Sequence, residues 1–183
     1  MLEIIKEIDT LLFLIINRTL VNPVFDLVMP FITQFKNSIL LLVFLALYIL
    51  YKKRIKGLEI IIATTLAVIL ADQLSSHLFK PFFARERPCA FLENVRLLMW
   101  CNSSYSFTSS HAATTMAGGT VVYLYLKSLR TFFLAAIVVI AIGFSRVYIG
   151  IHYPFDVFGG WILGITSGFL CYGVFKKIPF LKK

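Results

Sequence analysis

A succession of apolar stretches divided by short cationic clusters limits what this chain can fold into. Ser38–Tyr51 runs into Lys52, Lys53, Arg54 and Lys56, and Leu58–Phe79 ends at Lys80. His111–Leu126 ends at Lys127 and Arg130, and Thr131–Phe144 ends at Ser145-Arg146. Val157–Phe175 ends at Lys176-Lys177, with Lys182-Lys183 as a tail. Several of these stretches approach the roughly 20 residues that cross a hydrocarbon core. Only 15% of the 183 residues are charged and the mean hydropathy is +0.86, where soluble domains carry about 25% charge. The pattern predicts an all-α, polytopic transmembrane helix bundle of about five to six membrane helices plus short interfacial helices. One membrane-embedded domain is expected over residues 1–183.

Residues 1–36 differ from the rest. Glu3, Lys6, Glu7 and Asp9 lie among leucines and isoleucines, and the unbroken apolar run from Thr10 to Ile16 is too short to span alone. An interfacial or tilted, partly inserted helix fits this segment. Asn22-Pro23 breaks it, and Pro23 can open a second short helix toward Phe35. The start lacks the basic flank and small-residue cleavage site of a signal peptide and is expected to be retained.

The net charge of +9 would suit a nucleic acid, but its placement between apolar stretches is that of topology-setting loops. No nucleic-acid partner is expected; the partner is the lipid bilayer. One crossing per stretch places Lys52–Lys56, Lys127–Arg130 and Lys176–Lys183 on one side, which positive-inside placement makes cytoplasmic. Lys80, the polar loop from about Pro81 to Ser109 with His111 behind it, and the turn Arg146–Asp156 then share the opposite side. Three separated polar sequences should therefore meet at one extracytoplasmic mouth.

Each of the three carries chemistry. In the turn, Pro154 suits the first position of a helix, which puts His152 just outside it and Asp156 in its first turn. The helix dipole favours an ionised carboxylate there. Asp156 can then accept the imidazole Nδ1–H and leave Nε2 as nucleophile or base, while Arg146 can hold a planar anion. In Thr108-Ser109-Ser110-His111, hydroxyls and leading N–H groups before a helical run make either an ordinary N-cap or a phosphate site. In Lys80–Pro88, cations stand on the side where topology does not call for them, which suggests an anionic ligand. Nine acidic residues form no cluster with metal-ligand spacing, so neither metal nor another cofactor is expected.

Together the three clusters resemble the signatures of the type 2 phosphatidic acid phosphatase (PAP2) superfamily of membrane lipid phosphatases. Lys80 and Arg87-Pro88 match K-x6-RP, and Ser145-Arg146, His152 and Asp156 match SR-x5-H-x3-D. The middle cluster departs from PSGH, with Thr108 for Pro and Ser110 for Gly, while Ser109 and His111 remain. The resemblance covers about residues 57–175, the expected catalytic core. It implies that His152 attacks phosphorus, oriented by Asp156, and that His111 protonates the leaving oxygen. Lys80, Arg87, Arg146, Ser109 and Ser110 would hold the phosphoryl oxygens. Similarity to small bacterial members implies a substrate among undecaprenyl diphosphate, phosphatidylglycerophosphate and lipid A 1-phosphate, cleaved at the outer face of an inner membrane. A non-catalytic anion-binding membrane protein or transporter would share the cationic mouth but has no use for a His152–Asp156 pair.

Cys89 and Cys101 fall in the loop expected to face an oxidising compartment, and are candidates for a disulfide. That loop, with Leu98, Met99 and Trp100, reads either as a lid or as a passive connector with an interfacial tryptophan. Asp72, Gln73 and His77 are either polar residues satisfied by neighbouring helices or supports for the cations. Gly160, Gly164 and Gly168 on the last helix, and Ala113, Ala117 and Val121 on another, have the spacing of close helix contacts.

Overall fold

The computed structural model describes residues 2–177, in which all regular structure is helical; the Lys182-Lys183 tail lies outside them. Helix α1 (Leu2–Leu14) runs on through a π-helical turn, Ile15–Thr19, and α2 (Pro23–Thr33) follows at 117° to it. The bend falls at Asn22-Pro23: the Asn22 side chain accepts from the Phe25 N–H at 2.9 Å and Pro23 occupies the first turn. Then come α3 (Phe35–Lys53) and α4 (Ile55–Gln73), the latter continued by a second π-helical turn, Leu74–Phe79, into α5 (Lys80–Phe83). A short α6 (Pro88–Phe91) and a long loop lead to α7 (Ser110–Leu126), α8 (Leu129–Tyr148) and α9 (Pro154–Lys177).

Helix α7 is the axis of the bundle, packed on α4, α8 and α9. Its Ala113, Ala117 and Val121 are fully buried with Ala63, Ala67 and Ala71 of α4. On the other flank α9 presents its glycines. A Cβ on Gly160 would lie 2.7 Å from the Ser109 carbonyl oxygen, one on Gly164 2.7 Å from Met116 Cβ, and one on Gly168 2.8 Å from Thr120 Cβ. Small residues thus set the helix separation, as close packing between membrane helices requires.

The outer helices are of another kind. Helix α3 buries only Ile49 against the described protein, while Leu40, Phe44 and Tyr51 are largely exposed. Such a surface demands lipid around it. Helices α3, α8 and α9 are long and apolar enough to cross a membrane, and the bent pair Glu3–Thr19 and Pro23–Thr33 makes a fourth candidate. The five to six expected from sequence also count α4 and α7, which length and hydropathy alone do not single out. Helix α7 has 17 residues and α4 carries Lys56, Glu59 and Asp72; α7 is packed on three helices, while α4 still turns Leu58, Ile62, Leu66 and Ile69 outward.

The far end of the bundle gathers the basic connections. Tyr125, closing α7, donates to Glu59 on α4 at 2.7 Å and meets Tyr172 of α9 edge-on, with Lys176 over the Tyr172 ring. The polar loops therefore lie together at the opposite end.

Candidate active site

That opposite end holds a cavity of about 580 Å³. Lys80, Arg87, Ser110, His111, Arg146 and His152 all line it, with Thr33–Lys36 and Met99, Trp100, Asn102 and Ser104 forming the rest of its mouth. The two histidines thus open onto one space.

The α8–α9 turn is built to fix His152. Gly150 adopts φ +92°, a region that costs glycine nothing, and a Cβ there would stand 2.8 Å from the Arg96 carbonyl oxygen. The chain doubles back so that the His152 N–H donates to the Arg146 carbonyl at 3.2 Å. Pro154 opens α9, and Asp156 reaches back to accept the Tyr153 N–H at 2.8 Å, half of a capping box. His152 is 2% exposed, its Nδ1 3.5 Å from Asp156 Oδ2 and 3.4 Å from Ser106 Oγ. Ser106 donates its own hydroxyl to the same Asp156 oxygen.

The other face of the ring corrects the expectation of a free Nε2. Arg87 Nη1 lies 3.2 Å from it while also donating to the Ile151 carbonyl at 3.0 Å. A guanidinium has donors only, so the nitrogen facing it carries the lone pair and Nδ1 carries the proton. The resting ring is neutral: burial first, then the nearby Arg87 and Arg146 cations, push the His152 pKa down to about 3 against the pull of Asp156. The site thus holds an unprotonated nitrogen directed at a cation.

Arg87 is itself aimed by the loop before α7, donating from Nε to the Ser104 carbonyl at 2.7 Å and from Nη2 to Ser104 Oγ at 2.9 Å. Cys89 and Cys101 are joined as a disulfide across the ends of the segment beside it. Trp100, next to that bond, is 92% exposed at the rim. Arg146, 7% exposed, donates from Nη1 to Thr33 Oγ1 at 2.7 Å, and its Nε has no partner among the described residues.

Lys80 owes its place to the π-helical turn. The extra residue in that turn brings Ser75, Ser76 and Lys80 toward one point, where Ser110 Oγ accepts from Lys80 Nζ at 3.0 Å and lies 3.0 Å from Ser75 Oγ and 3.3 Å from Ser76 Oγ. Ser110 is thus bound to the cation rather than serving as a cap. Ser109 is fully buried, does not line the cavity, and spends its N–H on the Asp156 carbonyl at 3.0 Å, while its Oγ has no partner among the described residues. No side chain caps α7. His77 points away, exposed on the outer surface, while Asp72 is half-buried.

Several residues were missed in the sequence. Arg85 bonds Asp156 Oδ1 at 2.8 Å and Asp9 Oδ2 at 2.7 Å; its signal was membership of the Lys80–Pro88 cluster. Ser106, Ser104 and Thr33 give no sequence signal, being ordinary hydroxyls. Asn17, in the first π-helical turn, is buried and binds both backbone groups of Arg96 as well as the Tyr148 carbonyl. Asp26 accepts from Tyr148 at 2.6 Å and pairs with Arg96.

Residues 57–179 match the PAP2 superfamily. Among curated proteins, the chain is 30% identical over 180 residues to a lipid A 4'-phosphatase of Porphyromonas gingivalis, covering 95% of this chain and 75% of that one. It is 29% identical over 156 residues to an undecaprenyl-diphosphatase of Sulfolobus acidocaldarius, covering 84% and 72%. Among solved structures, Aquifex aeolicus LpxE superposes with a TM-score of 0.74 at 29% identity, over 88% of this chain and 93% of that one.

Proposed function

The chain belongs to the PAP2 superfamily, and from that premise we propose that it removes phosphate from a lipid phosphate or diphosphate by way of a phosphohistidine on His152. One observation carries the reading: a neutral imidazole, its Nδ1 toward Asp156 and its lone pair toward Arg87, faces a cavity shared with His111, Lys80 and Arg146. Simple anion binding needs the cations; it does not need a buried nucleophile of fixed tautomer.

A phosphoryl group entering the cavity takes the Arg87 Nη1 hydrogen bond now spent on His152. Lys80, Arg87 and Arg146, with its free Nε, hold the oxygens on which charge builds in the transition state. Nε2 then bonds phosphorus as the bond to the lipid oxygen breaks. His111, whose pKa burial and the nearby cations hold down at about 3, takes up a solvent proton once the phosphate dianion offsets those cations, and gives it to that oxygen. The ring becomes cationic, and Asp156 and Ser106 hold its Nδ1–H. Water attacks phosphorus next, His111 takes the water's proton, and the N–P electron pair returns to Nε2. Ser110 acts through Lys80; Ser109 acts through the Asp156 backbone rather than on phosphate.

The rim supports a substrate whose tail stays in lipid while its head enters. Undecaprenyl diphosphate and lipid A phosphates, in line with the names of the relatives, are the classes to try, with phosphatidylglycerophosphate beside them. Basic connections gathered at the far end support a cytoplasmic placement for that end and an extracytoplasmic active site in an inner membrane. Phosphate release from a purified panel of these lipids, parent against His152→Ala, is the test. Release by the parent and none by the variant is expected. Phosphate binding with no release by the parent would favour the transporter or anion-binding reading.

A further inference from the structure

The Arg85 guanidinium lies between two carboxylates. Its Nη1 bonds Asp156 Oδ1 at 2.8 Å, its Nη2 bonds Asp9 Oδ2 at 2.7 Å, and its Cζ stands 4.0 Å over the Tyr153 ring. Asp9 comes from α1, outside residues 57–179. It is 1% exposed, and its other oxygen accepts the Phe155 N–H at 2.9 Å, one residue before Asp156. A charged group so deeply buried is costly unless it is paired on every side, and Asp9 is placed so that all its pairing is directed at the two neighbours of the catalytic carboxylate.

We propose that Asp9 is a positioning residue for the His152–Asp156 pair, sharing Arg85 so that Asp156 keeps a net negative charge toward the imidazole. The inference rests on the phosphohistidine reading above. Counting formal charges, Asp9, Arg85 and Asp156 together carry one negative charge. That charge is what the ring needs when Nε2 bonds phosphorus and the imidazole turns cationic. With Asp9 neutral, Arg85 cancels Asp156 and the ring must become cationic beside a neutral pair. The lost stabilisation appears in the transition state rather than in substrate binding, because neither Asp9 nor Arg85 lines the cavity.

A rival account makes Asp9 a mere tether for α1, and substitutions separate the two. Asp9→Asn keeps an oxygen for the Phe155 N–H but removes the charge. Steady-state phosphate release is measured on whichever lipid of the panel the parent cleaves best, alongside the melting temperature in detergent. The expected result is a kcat lower by about 10- to 100-fold with KM close to the parent's and folded protein retained. The decisive variant is Asp9→Asn with Arg85→Met, which restores the net negative charge. It should be faster than Asp9→Asn alone, whereas a tether would make the double variant slower. A parent-like kcat in Asp9→Asn, or a double variant no faster than the single, overturns the inference and leaves the phosphatase reading standing. A parent inactive on the whole panel overturns both.

Discussion

The inner helices and the N-terminal segment are held by opposite means. Helices α4, α7 and α9 meet through alanine and glycine, with Ala67, Ala117 and Gly164 at their seams and almost no polar contact. Residues 2–33 instead attach through Asp9, Asn17, Asp26 and Thr33, each bonded to the site or to the loop and helix end beside it. The seam fixes where the cavity-lining groups of α7 and of the turn before α9 stand. The polar attachment brings Asp9 against Arg85 and Thr33 against Arg146 beside them. A membrane protein cannot rely on apolar burial to press one helix on another, since lipid is as apolar as leucine, and this chain uses both remaining means in separate places.

The contrast can be broken most directly at the seam. Gly164→Val should cost about 3 kcal/mol or more, because the added carbons meet α7 backbone and Met116 rather than a flexible tip. Thermal unfolding in detergent measures it, and a variant as stable as the parent would mean that the helices do not meet as closely as described. Asn17→Ala tests the other means. It removes three hydrogen bonds that join α1 to Arg96 and Tyr148, for a loss of about 2 to 3 kcal/mol. Stability should fall while the kcat of the folded fraction stays near the parent's.

Acid should weaken the site end selectively. Folded His152 stays neutral with its pKa lowered to about 3, while the unfolded chain takes up a proton near pH 6.5. The unfolded state therefore binds more protons in the window between, and stability declines as pH falls through it, by about 2 kcal/mol at pH 5. Melting temperatures from pH 8 to pH 5 should show this decline in the parent and less of it in His152→Gln. The smallest effect belongs to the far end. Glu59→Gln keeps an acceptor for Tyr125 and should cost below about 1 kcal/mol, with phosphate release unchanged. A loss of activity there would mean that the two ends are coupled.

Much of this was legible in the sequence because it was local or periodic. His152 and Asp156 stand four apart across a proline, and Gly160, Gly164 and Gly168 repeat on one helical face; both arrangements are written in spacing. Lys80, Arg87, His111 and Arg146 could be brought to one end by counting crossings, and they line one cavity. Arg85 and Asp9 could not be paired that way, since a contact across 76 positions leaves no periodic trace. Ser109 and Ser110 look alike in the motif, and only the helix start decides which hydroxyl lines the cavity, here that of Ser110. The π-helical turns were invisible for a related reason: the polar partners that stabilise them come from other elements.

The second of those turns has a consequence for how the chain tolerates change in length. A helical residue advances the azimuth by about 100°, so the surplus position within Leu74–Phe79 works as a phase correction between α4 and α5. Excising one amino acid there would remove the surplus and let the segment relax to ordinary winding with Lys80 near its present azimuth, at the expense of the approach of Ser75 and Ser76 to Ser110. A one-residue deletion in that stretch is therefore a milder perturbation for Lys80 than a substitution that lets the full-length segment wind as an α-helix, which would turn the ammonium about 100° round the axis.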